Sequence, residues 1–81
     1  MRVNVVSYAR LRELLGEKRS VWCDDGTSAG GLWKVLTDLE PRLEAFAAST
    51  RLARNGRILS DSREILHEGD DVTLLPPVGG G

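Results

Sequence analysis

This chain of 81 residues has one cysteine, one histidine and almost no net charge, and each scarcity removes a class of function. Cys23 has no partner for an internal disulfide, which fits a reducing compartment and predicts a cytoplasmic protein. His67 and Cys23 lie far apart in sequence, and neither belongs to a ligand-spacing motif, so no metal site is expected. With 11 basic and 12 acidic residues interspersed, the formal charge is −1. A nucleic-acid binder would carry a basic patch or stripe. No apolar run is long enough to span a bilayer, and Met1-Arg2-Val3 opens directly into a strand pattern rather than a signal peptide. Gly30-Gly31 has neither the phosphate-loop motif nor a following Lys-Ser/Thr. Asp24-Asp25 and Asp70-Asp71 read as turn chemistry rather than catalytic carboxylate pairs. The body of the chain therefore offers no catalytic constellation, and it is expected not to be an enzyme.

What is present is a regular alternation of short elements. Val3 to Tyr8 reads as a first strand, with Val3 and Val5 on one face and Asn4, Val6 and Tyr8 on the other. Leu11, Leu14 and Leu15 recur at helical spacing over Ala9–Leu15, and Gly16 stops that helix. Ser20–Cys23 is a second strand, closed by the turn Asp24-Asp25-Gly26. Ser28 is a suitable N-cap for the main helix, whose apolar stripe is Leu32, Val35, Leu36 and Leu39, with Trp33 at its margin. Gly30 and Gly31 in its first turn cost about 1 kcal/mol each relative to Ala. Glu40-Pro41 interrupts the helix, and Arg42 to Ala48 reads as a further helical turn using Leu43 and Phe46. Asn55-Gly56 between two apolar segments is the strongest short hairpin signal in the chain. Asp71–Leu75 is the last strand, with Val72 and Leu74 pointing one way and Thr73 and Leu75 the other.

The order of elements predicts one α+β domain over 1–75, with the main helix on one face of a mixed sheet and no internal repeat. The first and last strands are expected side by side at its centre, leaving Val6, Tyr8, Thr73 and Leu75 on the uncovered face. Such a patch is either ordinary surface hydrophobicity or a partner site. Its position beside the chain's exit favours the partner site.

Residues 76–81 read differently. Pro76 and Pro77 stiffen the exit from the last strand, and Val78, Gly79, Gly80 and Gly81 follow almost without side chains. A narrow tail on a stiff stem suits delivery of the Gly81 carboxylate into another protein's pocket. From the glycines alone, a frayed terminus is an equal reading. A carboxylate is a poor electrophile at neutral pH, so a working tail needs activation, for example as an acyl-adenylate.

Taken in order, Tyr8-Ala9-Arg10-Leu11-Arg12-Glu13-Leu14-Leu15-Gly16, Asp25-Gly26-Thr27-Ser28 with Gly30-Gly31-Leu32-Trp33, Asn55-Gly56, Glu68-Gly69-Asp70-Asp71-Val72 and Leu74-Leu75-Pro76-Pro77-Val78-Gly79-Gly80-Gly81 resemble the small subunit of molybdopterin synthase, a ubiquitin-like sulfur carrier. The resemblance covers nearly the whole chain and implies a β-grasp fold. It implies that a ubiquitin-activating-like enzyme uses ATP to adenylate Gly81. A sulfur donor, such as a cysteine desulfurase or rhodanese-like protein, then converts the adenylate to a thiocarboxylate. It further implies docking on the large synthase subunit in a heterotetramer, with sulfur passing to a cyclic pterin precursor of the molybdenum cofactor and no cofactor bound by the carrier itself. Gly81 would be the activated residue and Gly80 its slim neighbour. Pro76, Pro77, Val78 and Gly79 would form the stem, and Tyr8, Ile58 and Leu75 the docking surface. Two positions depart from the family pattern: Gly79 stands where Ser, Thr or Ala is common, and Gly31 where an acidic residue is usual. A carrier for thiamine, tRNA thiolation or cysteine synthesis, a modifier attached to lysines, and a plain interaction module are the competing readings.

Overall fold

The computed structural model describes residues 1–75. The expectations placed on Pro76, Pro77, Val78, Gly79, Gly80 and Gly81 lie outside the described residues. Five strands form one mixed sheet: β1 (Arg2–Ser7), β2 (Lys18–Trp22), β3 (Arg51–Arg54), β4 (Arg57–Ile58) and β5 (Asp71–Leu75), in the spatial order β2-β1-β5-β3-β4. β1 runs parallel to β5, and the other neighbours are antiparallel. Helix α1 (Ala9–Leu15) connects β1 to β2, and α2 (Ala29–Leu39) with a 3-10 turn (Pro41–Phe46) connects β2 to β3. This is a β-grasp, and the α+β expectation with the first and last strands adjacent holds.

Alternation along the strands builds the core. Val3 and Val5 of β1 and Val72 and Leu74 of β5 are fully buried, and Leu32 and Leu36 of α2 pack against them. Each such side chain contributes about 1.5–3 kcal/mol on burial, which makes this layer the main source of stability. The stripe predicted for α2 is corrected at one end: Leu39 is 52% exposed, and Ala29 joins Leu32 and Leu36 inside. The helix stops after Leu39 at Glu40-Pro41, and the 3-10 turn folds Leu43 into the core instead. β2 also starts two residues earlier than expected, because the Lys18 to Trp22 backbone continues the antiparallel ladder of β1 from Val6 back to Arg2.

Local chemistry accounts for the element ends. Ser28 Oγ accepts from the Gly31 amide at 3.1 Å, the expected cap. The first of the two glycines that follow, Gly30, has a use that propensity hides. Gly30 N–H donates to the Ser62 carbonyl at 2.8 Å, and Ala29 N–H to that of Glu64 at 2.9 Å. A Cβ on Gly30 would stand 3.3 Å from the Ser62 carbonyl oxygen. The glycine thus lets the helix start press against the 61–66 segment, which satisfies two first-turn amides. At the hairpin, Asn55 and Gly56 adopt φ of 49° and 86°, the left-handed pair that the tight two-residue turn requires.

Candidate docking surface

The residues facing away from α2 fall into cross-strand rows fixed by register. One row runs Lys18, Val6, Thr73, Ala53 and Ile58 across all five strands. The next row toward the chain's exit holds Leu75 opposite Arg51. Tyr8 follows β1 one residue past Ser7, whose register partner is Leu74, so Tyr8 comes level with Leu75 at the same end of the sheet. The predicted patch of Val6, Tyr8, Thr73 and Leu75 is therefore gathered on one side, and Ile58 joins it through Ala53. Tyr8 is a different element from the one expected. It is the extended N-cap residue of α1 rather than the end of a strand, and the residue is 49% exposed. Ile58 on the edge strand is 52% exposed.

Beside this row lies a mostly apolar cleft of about 480 Å³ lined by Tyr8, Leu11, Ala45, Phe46, Ser49 and Thr50. Thr50 immediately precedes Arg51, so the cleft opens next to the end of β5. Tyr8 thus serves both the open face and the seam between α1 and the 3-10 turn. Ser7, just before it, is fully buried, and its hydroxyl has no hydrogen-bond partner among the described residues. Alternation gave a signal here, since a polar residue follows Val3 and Val5 on the core face.

The opposite end of β5 is polar and fastened. Asn55 Nδ2 donates to Asp70 Oδ1 at 3.3 Å, and Asn55 Oδ1 accepts from the Asp71 amide at 2.9 Å. Asn4 Nδ2 donates to Asp71 Oδ1 at 3.1 Å, and Asp70 Oδ2 accepts from the His67 amide at 2.8 Å. Arg54 donates to the Ile65 carbonyl at 2.6 Å and lies within ion-pair range of Glu64 and Asp70. Asp70 and Asp71 are thus occupied as acceptors, in keeping with turn chemistry. Arg54 escaped the sequence reading because its partners lie in a loop with no periodic signal. Elsewhere on the surface the Arg42 guanidinium holds the Glu40 carboxyl down to about 2, and Arg63 lowers that of Asp61 in the same way. Among the described residues no group of three or more His, Cys, Asp or Glu side chains is placed to hold a metal ion. Cys23 is half-buried beside the core, and His67 is an exposed loop residue.

A sheet of this topology, with one covered face and one apolar open face beside the end of β5, is that of a small ubiquitin-like protein. Residues 5–81 match the ThiS family, and the chain belongs to that family of ubiquitin-like sulfur carriers. It is 30% identical over 83 residues to the molybdopterin synthase sulfur carrier subunit of Mycobacterium tuberculosis, covering all of this chain and 99% of that one. It is 31% identical over 97 residues to the small archaeal modifier protein 3 of Haloferax volcanii, with both chains fully covered. Among solved structures it is similar, with a TM-score of 0.74 and 26% identity over the whole of both chains, to a chain of the complex between subunits 1 and 2 of the molybdopterin-converting factor from Helicobacter pylori. No helix among the described residues is long and apolar enough to cross a membrane.

Proposed function

We propose that this chain is the sulfur carrier subunit of a molybdopterin synthase, with Gly81 as the residue that is activated and carries the sulfur. The observation that carries this reading is the reach of the family match: it extends from residue 5 to residue 81 and so includes the terminal glycines. The full-length likeness to the mycobacterial carrier subunit and to the Helicobacter complex supports the choice of acceptor. In this reading an adenylating enzyme joins the Gly81 carboxylate to the AMP of ATP and releases pyrophosphate. The outer sulfur of a donor protein's persulfide displaces AMP, and a thiol then cleaves the resulting acyl disulfide, forming a disulfide with the donor and leaving a terminal thiocarboxylate. Gly80 and Gly79 keep the tail slim enough for a tunnel; Pro76, Pro77 and Val78 form its stem, and the two prolines reduce the entropy lost on threading it. Tyr8, Ile58 and Leu75 dock on the large subunit, which supplies the pterin site. The carrier itself needs no bound cofactor, and the reading places it in the cytoplasm.

The test is co-purification with the large synthase subunit, followed by sulfur transfer to the cyclic pterin precursor. Tyr8→Arg and Leu75→Glu are expected to fold normally and lose the complex. Deleting Gly81 is expected to abolish transfer. Unchanged binding by both docking variants would remove the open face from the account. A second reading has its own support in the Haloferax relative, a protein named as a modifier. Lysine-linked adducts of Gly81 in the native cell would select it over the carrier.

A further inference from the structure

The β2 edge of the sheet is open, and its chemistry matches itself. β2 has β1 as its only strand neighbour among the described residues, and Lys18, Arg19, Ser20 and Trp22 are all exposed. Cys23 and Met1 exchange two hydrogen bonds, Met1 N to Cys23 O at 2.6 Å and Cys23 N to Met1 O at 2.9 Å. At the other end of the ladder Ser7 N donates to Glu17 O at 3.0 Å. Antiparallel alternation therefore turns the backbone groups of Arg19 and Val21 toward β1, and those of Lys18, Ser20 and Trp22 outward. Such an edge is a template for another strand.

Natural edges often carry Lys to discourage this pairing. Here four residues separate the positive end, Lys18-Arg19, from a negative end, Asp24-Asp25. A strand charged in that order is complementary to a second copy laid antiparallel to it. We propose that this chain self-associates through β2, edge to edge, as a symmetric dimer centred on Val21. A two-fold axis perpendicular to the sheet allows only registers that keep paired side chains on one face. The register centred on Val21 satisfies this and sets Lys18 opposite Asp24 of the second copy, twice. It also lays Trp22, which is 72% exposed and the most exposed large apolar side chain among the described residues, against Ser20 of the second copy. Outward amides and carbonyls of Ser20 and Trp22 then close a continuous ten-stranded sheet. Because β5 runs parallel to β1, the two copies' β5 ends leave at opposite ends of that sheet, and both open faces lie on the same side.

A single strand pair buries less than the roughly 1,200–2,000 Å² of a stable complex, so the association is weak and concentration-dependent. Sedimentation velocity of the full chain over rising concentration tests it. The expected result is a shift from one chain toward two, weakened by salt because the opposed charges are exposed. Lys18→Asp faces like charge in both pairs and is expected to raise the dissociation constant about tenfold or more. The double variant Lys18→Asp with Asp24→Lys restores opposite charges and is expected to restore association. Ser20→Pro removes an outward N–H that β1 does not use, so it keeps the monomer's circular dichroism while abolishing the dimer. A wild-type chain that stays monomeric at every concentration overturns the proposal. So does a single-charge variant that associates like wild type, or a double variant that stays as weak as the single.

Discussion

The two faces of the sheet are built from alternate residues of the same strands and do different work. On the helix side, Val3, Val5, Val72 and Leu74 are fully buried beneath Leu32 and Leu36. On the other side, Val6, Thr73 and Leu75 are only half-buried, with Tyr8 and Ile58 exposed around them. Leu74 and Leu75 show the contrast most sharply. They are the same residue type one position apart, yet one is sealed in the core and the other sits at the rim. Burial, and with it stability, is concentrated on one face, and the apolar residues of the other are not needed for the core.

The sharpest way to break that division is to truncate each of the two leucines. Leu74→Ala is expected to cost about 2–5 kcal/mol, the range for an aliphatic side chain removed from a packed core. Leu75→Ala is expected to cost under about 1 kcal/mol, while weakening the partner complex. Urea unfolding of both variants measures the pair, and equal losses would erase the distinction between the faces.

A smaller effect is expected at the fastened end of β5. Asn55→Ala removes the hydrogen bonds to Asp70 and Asp71 and puts a less suitable residue at φ of 49°. The expected loss is about 1–2 kcal/mol, and amide exchange of the hairpin should rise with it. Gly30→Ala is a test of sign. Propensity alone predicts a gain of up to about 1 kcal/mol for Ala in a helix. The close approach to Ser62 predicts a net loss instead, together with loosening of the 61–66 segment, visible by thermal melting and amide exchange.

The smallest effect concerns pH. Glu40 is held well below the usual carboxylate range by Arg42. A depressed folded-state value means the contribution is present above the unfolded carboxyl's titration and fades as pH falls from about 4.5 toward about 2. Wild type is therefore expected to lose slightly more stability across that window than Arg42→Ala, read from acid titrations followed by circular dichroism. The Arg42 guanidinium is largely exposed, so solvent screens the pair and the difference is small.

Much of this architecture could be read before the coordinates. Period-two alternation marked Val3, Val5, Val72 and Leu74 as one face, and Asn55-Gly56 marked its hairpin because few residue pairs tolerate that turn. Ser28 marked the start of α2 through its cap. What escaped was tertiary. Leu39 keeps the helical period but lies in the last turn, where Leu43 fills the core instead. Gly30 looked like a cost because its gain, an approach to Ser62, joins segments more than thirty residues apart. Arg54 looked like one surface charge among many until the fold set Glu64, Ile65 and Asp70 around it. In the candidate site, Tyr8, Leu75 and Ile58 could be assembled only by combining alternation with the family resemblance. Ile58 has no local feature that sets it apart from other edge-strand residues.

Whether the domain presents an activatable C-terminal carboxylate is read out by intact-mass spectrometry. The wild-type chain and a variant lacking Gly81 would each be incubated with ATP, the cell's adenylating enzyme and a sulfur donor. Exchange of one oxygen for one sulfur is expected on the wild-type chain, located at Gly81, with no change in the variant. An unmodified wild-type chain, or equal modification of both, would contradict that expectation.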